Sequence, residues 1–514
     1  MSRWRLGTPS PGVCLFLVLL LYIVLWVLCP QEFIASDPWG YSRRAFAISQ
    51  HLGFGSSDVL SHRVAVAVPV ALLYSVFGVS IITTNLWPLC SALIVVISVW
   101  LALPDDRSKV VGAILCFTSV PLFKSSTALY PDIIAAAFMA SSSLILFHRR
   151  VLIHGRRARL LVPPAAVVLL FLAFLAKESA YWVLPLWAVT LFVDAKGKDR
   201  DVLLRRFYLP ALGAGVLLGI MYLVFCHATW GDPLARFRSI QALTGHHLWS
   251  WDKVPPGVFA RRLTISPARL LLGQYGAPVL LLALLGFVIS PRSIRPWRYY
   301  AAVCLVLYWF GSTSFTRYEP MPLVDRMTLP MLPGLYVLAA FTTSRLSITS
   351  DRAGCINSFL PVVLVLGFAG MPFAQYVDSW RGKELPEATA MSILRTEVKG
   401  HPDREYLLVC SDHRSPDALS FYFGYRYPEN LHVVFVENLT EELIRSDERF
   451  VFMDQQRSAF LKSAYGSRHF DEEIDSLGLA SVYKSGSVEL LRCEQPDAVR
   501  ELMLASSRLE SDGE

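Results

Sequence analysis

Charge is what this sequence has least of. Asp, Glu, Lys and Arg together make up 17% of its 514 residues, where a soluble domain carries roughly 25%. The shortfall runs through most of the chain and 54% of the residues are hydrophobic, which excludes an ordinary soluble enzyme and puts the chain in the membrane class. The nine cysteines include no CxxC pair, so a zinc ribbon or finger is excluded. Seven of them (Cys14, Cys29, Cys90, Cys116, Cys226, Cys304, Cys355) lie in or beside apolar runs and act there as small hydrophobes. Cys410 and Cys493 fall in a more polar tail and are able to pair if that tail lies outside the cytoplasm. No A-x-A site follows the first apolar run, Cys14–Cys29, so the run is expected to stay as a first helix and not to leave as a signal peptide. The net charge of +7 does not point to nucleic acid, because the Lys and Arg cluster in short loops between apolar runs.

Eleven runs approach spanning length: residues 14–30, 82–103, 109–123, 131–148, 160–176, 179–194, 207–228, 268–289, 298–313, 327–343 and 356–376. They predict a polytopic α-helical membrane protein. The loop at 148–159 holds five arginines, that at 195–206 five Lys or Arg, and that at 291–298 three. All three are expected on the cytoplasmic side, with the N-terminus. Parity then puts the tail after 376 outside. Residues 64–80 are apolar but contain Pro69 and Gly78. A span there would put one set of basic residues on the wrong side, so they are read as a juxtamembrane or re-entrant segment within a long first external loop, 31–81. The tail, 377–494, alternates strand-like runs (EYLLVCS, HVVFV, RFVFMD, ASVYKS, SVELLRC) with helical ones and predicts a small extracytoplasmic α/β domain. Residues 495–514 are polar and are expected to be disordered.

The unusual polar residues gather at the predicted external edge. Asp37 precedes a segment with apolar residues at 41, 45, 48 and 52, the spacing of a helix lying on the bilayer surface. It is either that helix's N-cap or a site residue. His62 and Arg63 stand just before 41 uncharged residues, Val64–Pro104. Arg63 there either snorkels or meets a lipid phosphate. Tyr130, Pro131 and Asp132 enter the 131–148 run, where Pro suits the first helical position and an intramembrane acid is a functional candidate. Lys177 and Glu178 form a tight turn, either exposed or in the site. Arg317, Glu319, Asp325 and Arg326 precede a late run. Asp105-Asp106-Arg107 reads as a solvated turn, His246-His247 lack a third ligand at metal spacing, and Asn438-Leu439-Thr440 matches a glycosylation sequon.

Taken in order, these residues resemble the C-type glycosyltransferase superfamily (GT-C), in its branch that uses polyprenyl-phosphate sugars and includes protein mannosyltransferases and lipid A aminoarabinose transferases. The resemblance covers roughly residues 10–380. It rests on Asp37-x-x-x-Tyr41-x-x-x-Ala45, His62 before a segment ending Phe77-Gly78, Tyr130-Pro131-Asp132, Ala173-Phe174-Leu175-Ala176-Lys177-Glu178, and Arg326-x-x-x-Pro330-x-x-Pro333. Pro38 follows Asp37 where many members have a second acid, Gly40 stands where the lipid A transferases have a base, and His62-Arg63 replaces a His-Pro-Pro element. The resemblance implies a site at the external membrane face. Asp37 would be the catalytic aspartate and Asp132 a second acid, with Tyr41, His62, Arg63, Tyr130, Lys177, Glu178 and Arg326 binding substrate. It further implies a polyprenyl-phosphate-linked sugar donor, a glycan, lipid or protein acceptor, and a place in the bacterial inner (plasma) membrane, with no nucleic-acid partner.

The chemistry agrees. A polyprenyl phosphate is an acidic leaving group that needs cations and no general acid, and the acceptor hydroxyl needs one base. No cofactor or external acidic metal cluster is indicated. Two rivals remain. A transporter or flippase of a lipid-linked substrate favours midplane charge and repeats, and no repeat is visible. An O-antigen-ligase or polymerase-like enzyme would gather its residues in one large late loop.

Overall fold

The structure is a computed structural model. It describes residues 10–29, 37–55, 57–152, 156–244, 254–312, 318–346, 362–380, 386–411, 415–454, 479–485, 488–493 and 497–502. Arg317, His246, His247 and Cys355 lie outside the described residues.

Helices make up the first part of the chain. They are α1 (Pro11–Leu28), α2 (Asp37–Ser49), α3 (Val64–Phe77), α4 (Ile81–Ala102), α5 (Asp106–Phe117), α6 (Val120–Ser126), α7 (Pro131–Leu152) and α8 (Arg156–Ala176). A 3-10 turn, Glu178–Val183, leads into α9 (Leu184–Ala195). Then come α10 (Arg200–Trp230), α11 (Ala235–Thr244), α12 (Pro256–Tyr275), α13 (Ala277–Ile289) and α14 (Arg295–Phe310). A second 3-10 segment, Asp325–Met331, opens α15 (Leu332–Arg345), and α16 (Val362–Ser379) follows. Among the described residues six helices are long and apolar enough to cross a membrane, or eight if the bent pairs α5–α6 (57°) and α12–α13 (106°) each count as one. The other three predicted runs fall on α8, whose apolar stretch is the shorter Leu160–Ala176, and on the short helices α9 and α14. Among the described residues, every apolar run read from the sequence therefore falls on a helix or a bent pair.

Burial sorts these helices. All of α15 but its last residue, Arg345, is enclosed, and small residues allow its close packing: a Cβ on Gly286 of α13 would lie 2.8 Å from the Leu338 carbonyl oxygen. Such approaches bring helix backbones together where lipid gives no hydrophobic drive. By contrast, α1 presents most of its surface outward and is fastened by two side chains. Trp26 Nε1 donates to the Ser126 carbonyl at 2.7 Å, and the Tyr22 hydroxyl to Ser126 Oγ at 3.3 Å.

The ambiguous 64–80 segment is α3, whose 14 residues rise about 21 Å, short of the roughly 30 Å of hydrocarbon. Its contacts give its direction. Trp87 Nε1 donates to the Ala65 carbonyl at 3.0 Å, and the Tyr74 hydroxyl meets Thr84 Oγ1 at 2.6 Å. Those partners are roughly 13 Å apart along α3 but about 4.5 Å apart along α4, so α3 lies across the first turns of α4. Ahead of it, α2 buries Tyr41 and Ala45, whereas Leu52 lies past the helix end and is exposed.

Beyond α17 (Pro386–Gly400) stand five strands: β1 (Tyr406–Cys410), β2 (Leu431–Phe435), β3 (Glu448–Asp454), β4 (Ala480–Ser485) and β5 (Val488–Cys493). They match the five strand-like runs of the sequence and form one sheet in the order β2-β1-β3-β5-β4. β1 is parallel to β2 and β3, while β5 is antiparallel to β3 and β4. Cys410 and Cys493 are buried, in clusters on opposite faces of the sheet, and form no disulfide. The pairing allowed by the sequence is therefore not made, because β3 separates their strands.

The candidate site at one end of the helical bundle

Four chain segments deliver ionic side chains to one place. Asp37 is the first residue of α2. Asp132 is the second residue of α7 and follows Pro131, whose fixed φ suits a helix start. Lys177 is extended (φ −155°, ψ 147°) between α8 and the 3-10 turn that Glu178 opens. Arg326 is the second residue of the Asp325–Met331 segment.

Arg326 bridges the two aspartates: Nη2 donates to Asp37 Oδ2 at 2.8 Å, and Nε faces Asp132 Oδ2 at 3.7 Å. Its guanidinium lies over the Tyr130 ring, 4.5 Å from the centroid, in a cation–π contact. Asp132 is fully buried and is met from behind by Lys177 Nζ, which also touches Met327 Sδ at 3.1 Å. Burial holds the Lys177 ammonium below its usual range against the pull of Asp132. Asp37, with its side chain 37% exposed, is the open end of this row. A cavity of about 360 Å³ adjoins Arg326, lined also by Lys124, Tyr130 and Asp325, and lies within the size range of small-ligand sites.

A second row runs beside the first. Arg63 donates to the Tyr41 hydroxyl and, through Nη2, to Glu178 Oε2 at 3.0 Å. Arg236 of α11 donates to the other Glu178 oxygen at 2.9 Å, to the His62 carbonyl at 3.3 Å, and to the Phe174 carbonyl. Burial works against the Glu178 charge, but Arg63 and Arg236 outweigh it and hold the carboxyl down to about 2. Four cations (Arg63, Lys177, Arg236, Arg326) thus meet three carboxylates (Asp37, Asp132, Glu178), an excess of one positive charge among these groups. A largely buried excess charge favours an anionic ligand.

Solved structures share the overall fold. ArnT from Cupriavidus metallidurans in the apo state superposes with a TM-score of 0.60 at 12% identity, over 94% of this chain and 98% of its own. The same protein bound to undecaprenyl phosphate gives 0.59 at 13%, over 95% and 99%. The chain has the GT-C fold. The apo oligosaccharyltransferase of Archaeoglobus fulgidus superposes at 0.56 and 11% identity, over 98% of this chain and 78% of its own. No family model and no curated protein matches the sequence.

Within this GT-C fold, the residues picked from the sequence separate by position. Asp37, Tyr130, Asp132, Lys177 and Arg326 form the first row; Tyr41, Arg63 and Glu178 form the second. Lys177 and Glu178 are not an exposed turn: Lys177 is buried and Glu178 is enclosed by two arginines. His62 is packed behind the second row, edge-on to Trp230 at 4.2 Å, with Nε2 3.1 Å from Ser57 Oγ. Burial, with Arg236 beside it, pushes His62 down to about 4. Asp105 caps α5 by accepting from Ser108 N and pairs with Arg345, as its place in a polar turn suggested. Arg236 was missed by sequence reasoning. It sits among other arginines in a polar loop, and only its burial sets it apart. Among the described residues no three His, Cys, Asp or Glu side chains gather as a metal site, and Arg326 stands between the two aspartates.

Proposed function

We propose that the protein is an integral membrane glycosyltransferase that moves a sugar from a polyprenyl-phosphate-linked donor to an acceptor hydroxyl at the extracytoplasmic face, with inversion. The observation that carries the reading is the Asp37–Arg326–Asp132–Lys177 row, which sets a part-exposed carboxylate, Asp37, against Arg326, itself at the edge of a cavity. The GT-C fold supports it, since ArnT of the same fold is known bound to undecaprenyl phosphate and the archaeal oligosaccharyltransferase AglB in complex with a dolichol-phosphate.

In this reading the acceptor oxygen attacks the anomeric carbon and its proton passes to Asp37. The bond from that carbon to the phosphate oxygen breaks, and a polyprenyl phosphate leaves. Arg326 is the cation best placed to take up the charge that develops, being part-exposed at the cavity edge. Arg63 is tied to both Tyr41 and Glu178 and serves the same phosphate from the second row. Asp132 and Lys177 hold Arg326 in register. Once a phosphate draws the guanidinium, Asp37 is released to act as the base. Fixed charges of this kind stabilise a transition state without reorganising at the moment of reaction.

The orientation follows from the basic loops and puts the site, with the 377–494 α/β domain, outside the cytoplasm. The decisive test is transfer by purified full-length protein in lipid nanodiscs, supplied with a panel of radiolabelled polyprenyl-phosphate sugars. Asp37→Asn is expected to keep polyprenyl phosphate binding and to lose about 10²–10⁴ in rate, the worth of a general base. A wild-type rate in that variant would reduce Asp37 to a helix-start residue.

A further inference from the structure

Tyr425 of the C-terminal domain packs against the helix that begins with Asp37. Tyr425 lies in the loop between β1 and β2. Its backbone is left-handed (φ 63°) directly after Gly424 (φ 69°), a conformation that costs a non-glycine residue roughly 1 kcal/mol or more. Turn hydrogen bonds hold it there: Tyr425 N donates to the Ser420 carbonyl at 2.8 Å and Gly424 N to the Phe421 carbonyl at 2.9 Å. The result is a ring pointed at α2. It stacks on Phe46 with centroids 4.9 Å apart, and its hydroxyl donates to Ser42 Oγ at 2.7 Å. The next residue, Arg426, donates to Gln50 Oε1 at 3.0 Å.

Ser42 does not end the chain of contacts. Its Oγ meets the Tyr74 hydroxyl at 2.5 Å, that hydroxyl meets Thr84 Oγ1 at 2.6 Å, and Thr84 Oγ1 donates to the Ser80 carbonyl at 2.7 Å. A hydroxyl has one proton to give. Thr84 gives its proton to the carbonyl, so Tyr74 donates to Thr84, Ser42 to Tyr74 and Tyr425 to Ser42. The direction of every bond is thereby fixed. Ser42, Tyr74 and Thr84 are all buried, where aligned hydrogen bonds strengthen one another. The chain links the soluble domain, α2, α3 and α4, and α2 carries both Asp37 and Tyr41.

We infer that Tyr425 is a positioning residue: its hydroxyl sets the rotation of α2 and so holds Asp37 and Tyr41 against Arg326 and Arg63. The inference rests on the proposed function for its catalytic meaning, but the coupling itself is physical and separately measurable. The test uses full-length protein in nanodiscs. Hydrogen–deuterium exchange reads the α2 amides, and intrinsic fluorescence reads the affinity for undecaprenyl phosphate. Tyr425→Phe keeps the stacking and loses the hydroxyl. It is expected to raise α2 exchange and to weaken undecaprenyl phosphate binding by about fivefold each, the worth of one neutral hydrogen bond, with β1–β5 exchange unchanged. Tyr425→Phe added to Ser42→Ala should cost little more than Ser42→Ala alone, because loss of Ser42 Oγ already removes the partner of the Tyr425 hydroxyl. If Tyr425→Phe matches wild type and only Tyr425→Ala loosens α2, the tyrosine merely packs and the inference falls. If α2 is unmoved in both, it falls as well. A wild-type protein that binds no undecaprenyl phosphate would sink the glycosyltransferase reading, and the exchange data would still decide the coupling.

Discussion

Replacing Glu178 by Gln removes a negative charge held between two guanidiniums while keeping shape and one acceptor oxygen. The carboxyl is held down to about 2 from an ordinary 4.5. That gap, at about 1.36 kcal/mol per unit, makes the ionised form worth roughly 3 kcal/mol to the folded protein. Breaking a buried pair from one side costs about 3–5 kcal/mol by a separate route. The Gln oxygen still accepts from one arginine, so the lower end, about 3 kcal/mol, is expected at pH 7. The sign follows from the depressed value. Stabilisation is complete above pH 4.5 and is lost as pH falls towards 2, so wild type should weaken between pH 5 and 3 while Glu178→Gln lacks that dependence and the two converge. Unfolding in mixed micelles at pH 7, 5 and 3 measures this. Adding Arg236→Gln should restore part of the loss, because the variant's unpaired buried charge is then removed. A Glu178→Gln protein within about 0.5 kcal/mol of wild type at pH 7, with wild-type pH dependence, would refute the claim that this carboxylate anchors the second row.

Arg326→Lys should lower donor turnover more than donor affinity, by about tenfold or more. A Lys cannot span Asp37 and Asp132 while lying flat on Tyr130, and steady-state kinetics with a short-chain polyprenyl-phosphate sugar would separate the two effects. A reporter active only outside the cytoplasm should work when fused after residue 380 and be silent at Gly155; the reverse pattern would place Asp37 on the wrong side and remove the site. Gly286→Val should lose helix packing between α13 and α15 at a cost of about 1–3 kcal/mol, seen as a lower melting temperature of the purified protein, since its Cβ would press on the Leu338 backbone.

The sequence by itself determined the membrane class, the place of each apolar helix, and the five strands of the tail. Those are local properties, carried by run length and by alternation along the chain. Charges at the ends of apolar helices also stand out against a background of 17% charge, which made Asp37, Asp132, Lys177 and Arg326 candidates while leaving each open between a cap, turn or anchor and a site residue. What the tertiary structure decided is which charges meet. Asp37 and Arg326 are 289 residues apart in sequence and share a hydrogen bond, and no periodicity reports a contact at that distance. Arg236 was hidden for the same reason: an arginine in a polar loop looks solvated until folding buries it against Glu178. The lie of α3 across α4 needed the Ala65 and Tyr74 contacts, since hydropathy measures how apolar a helix is and not its direction. Tyr425 joins Ser42 across 383 residues through a conformation its side chain does not prefer, and only the packing of the two parts of the chain on each other fixes it.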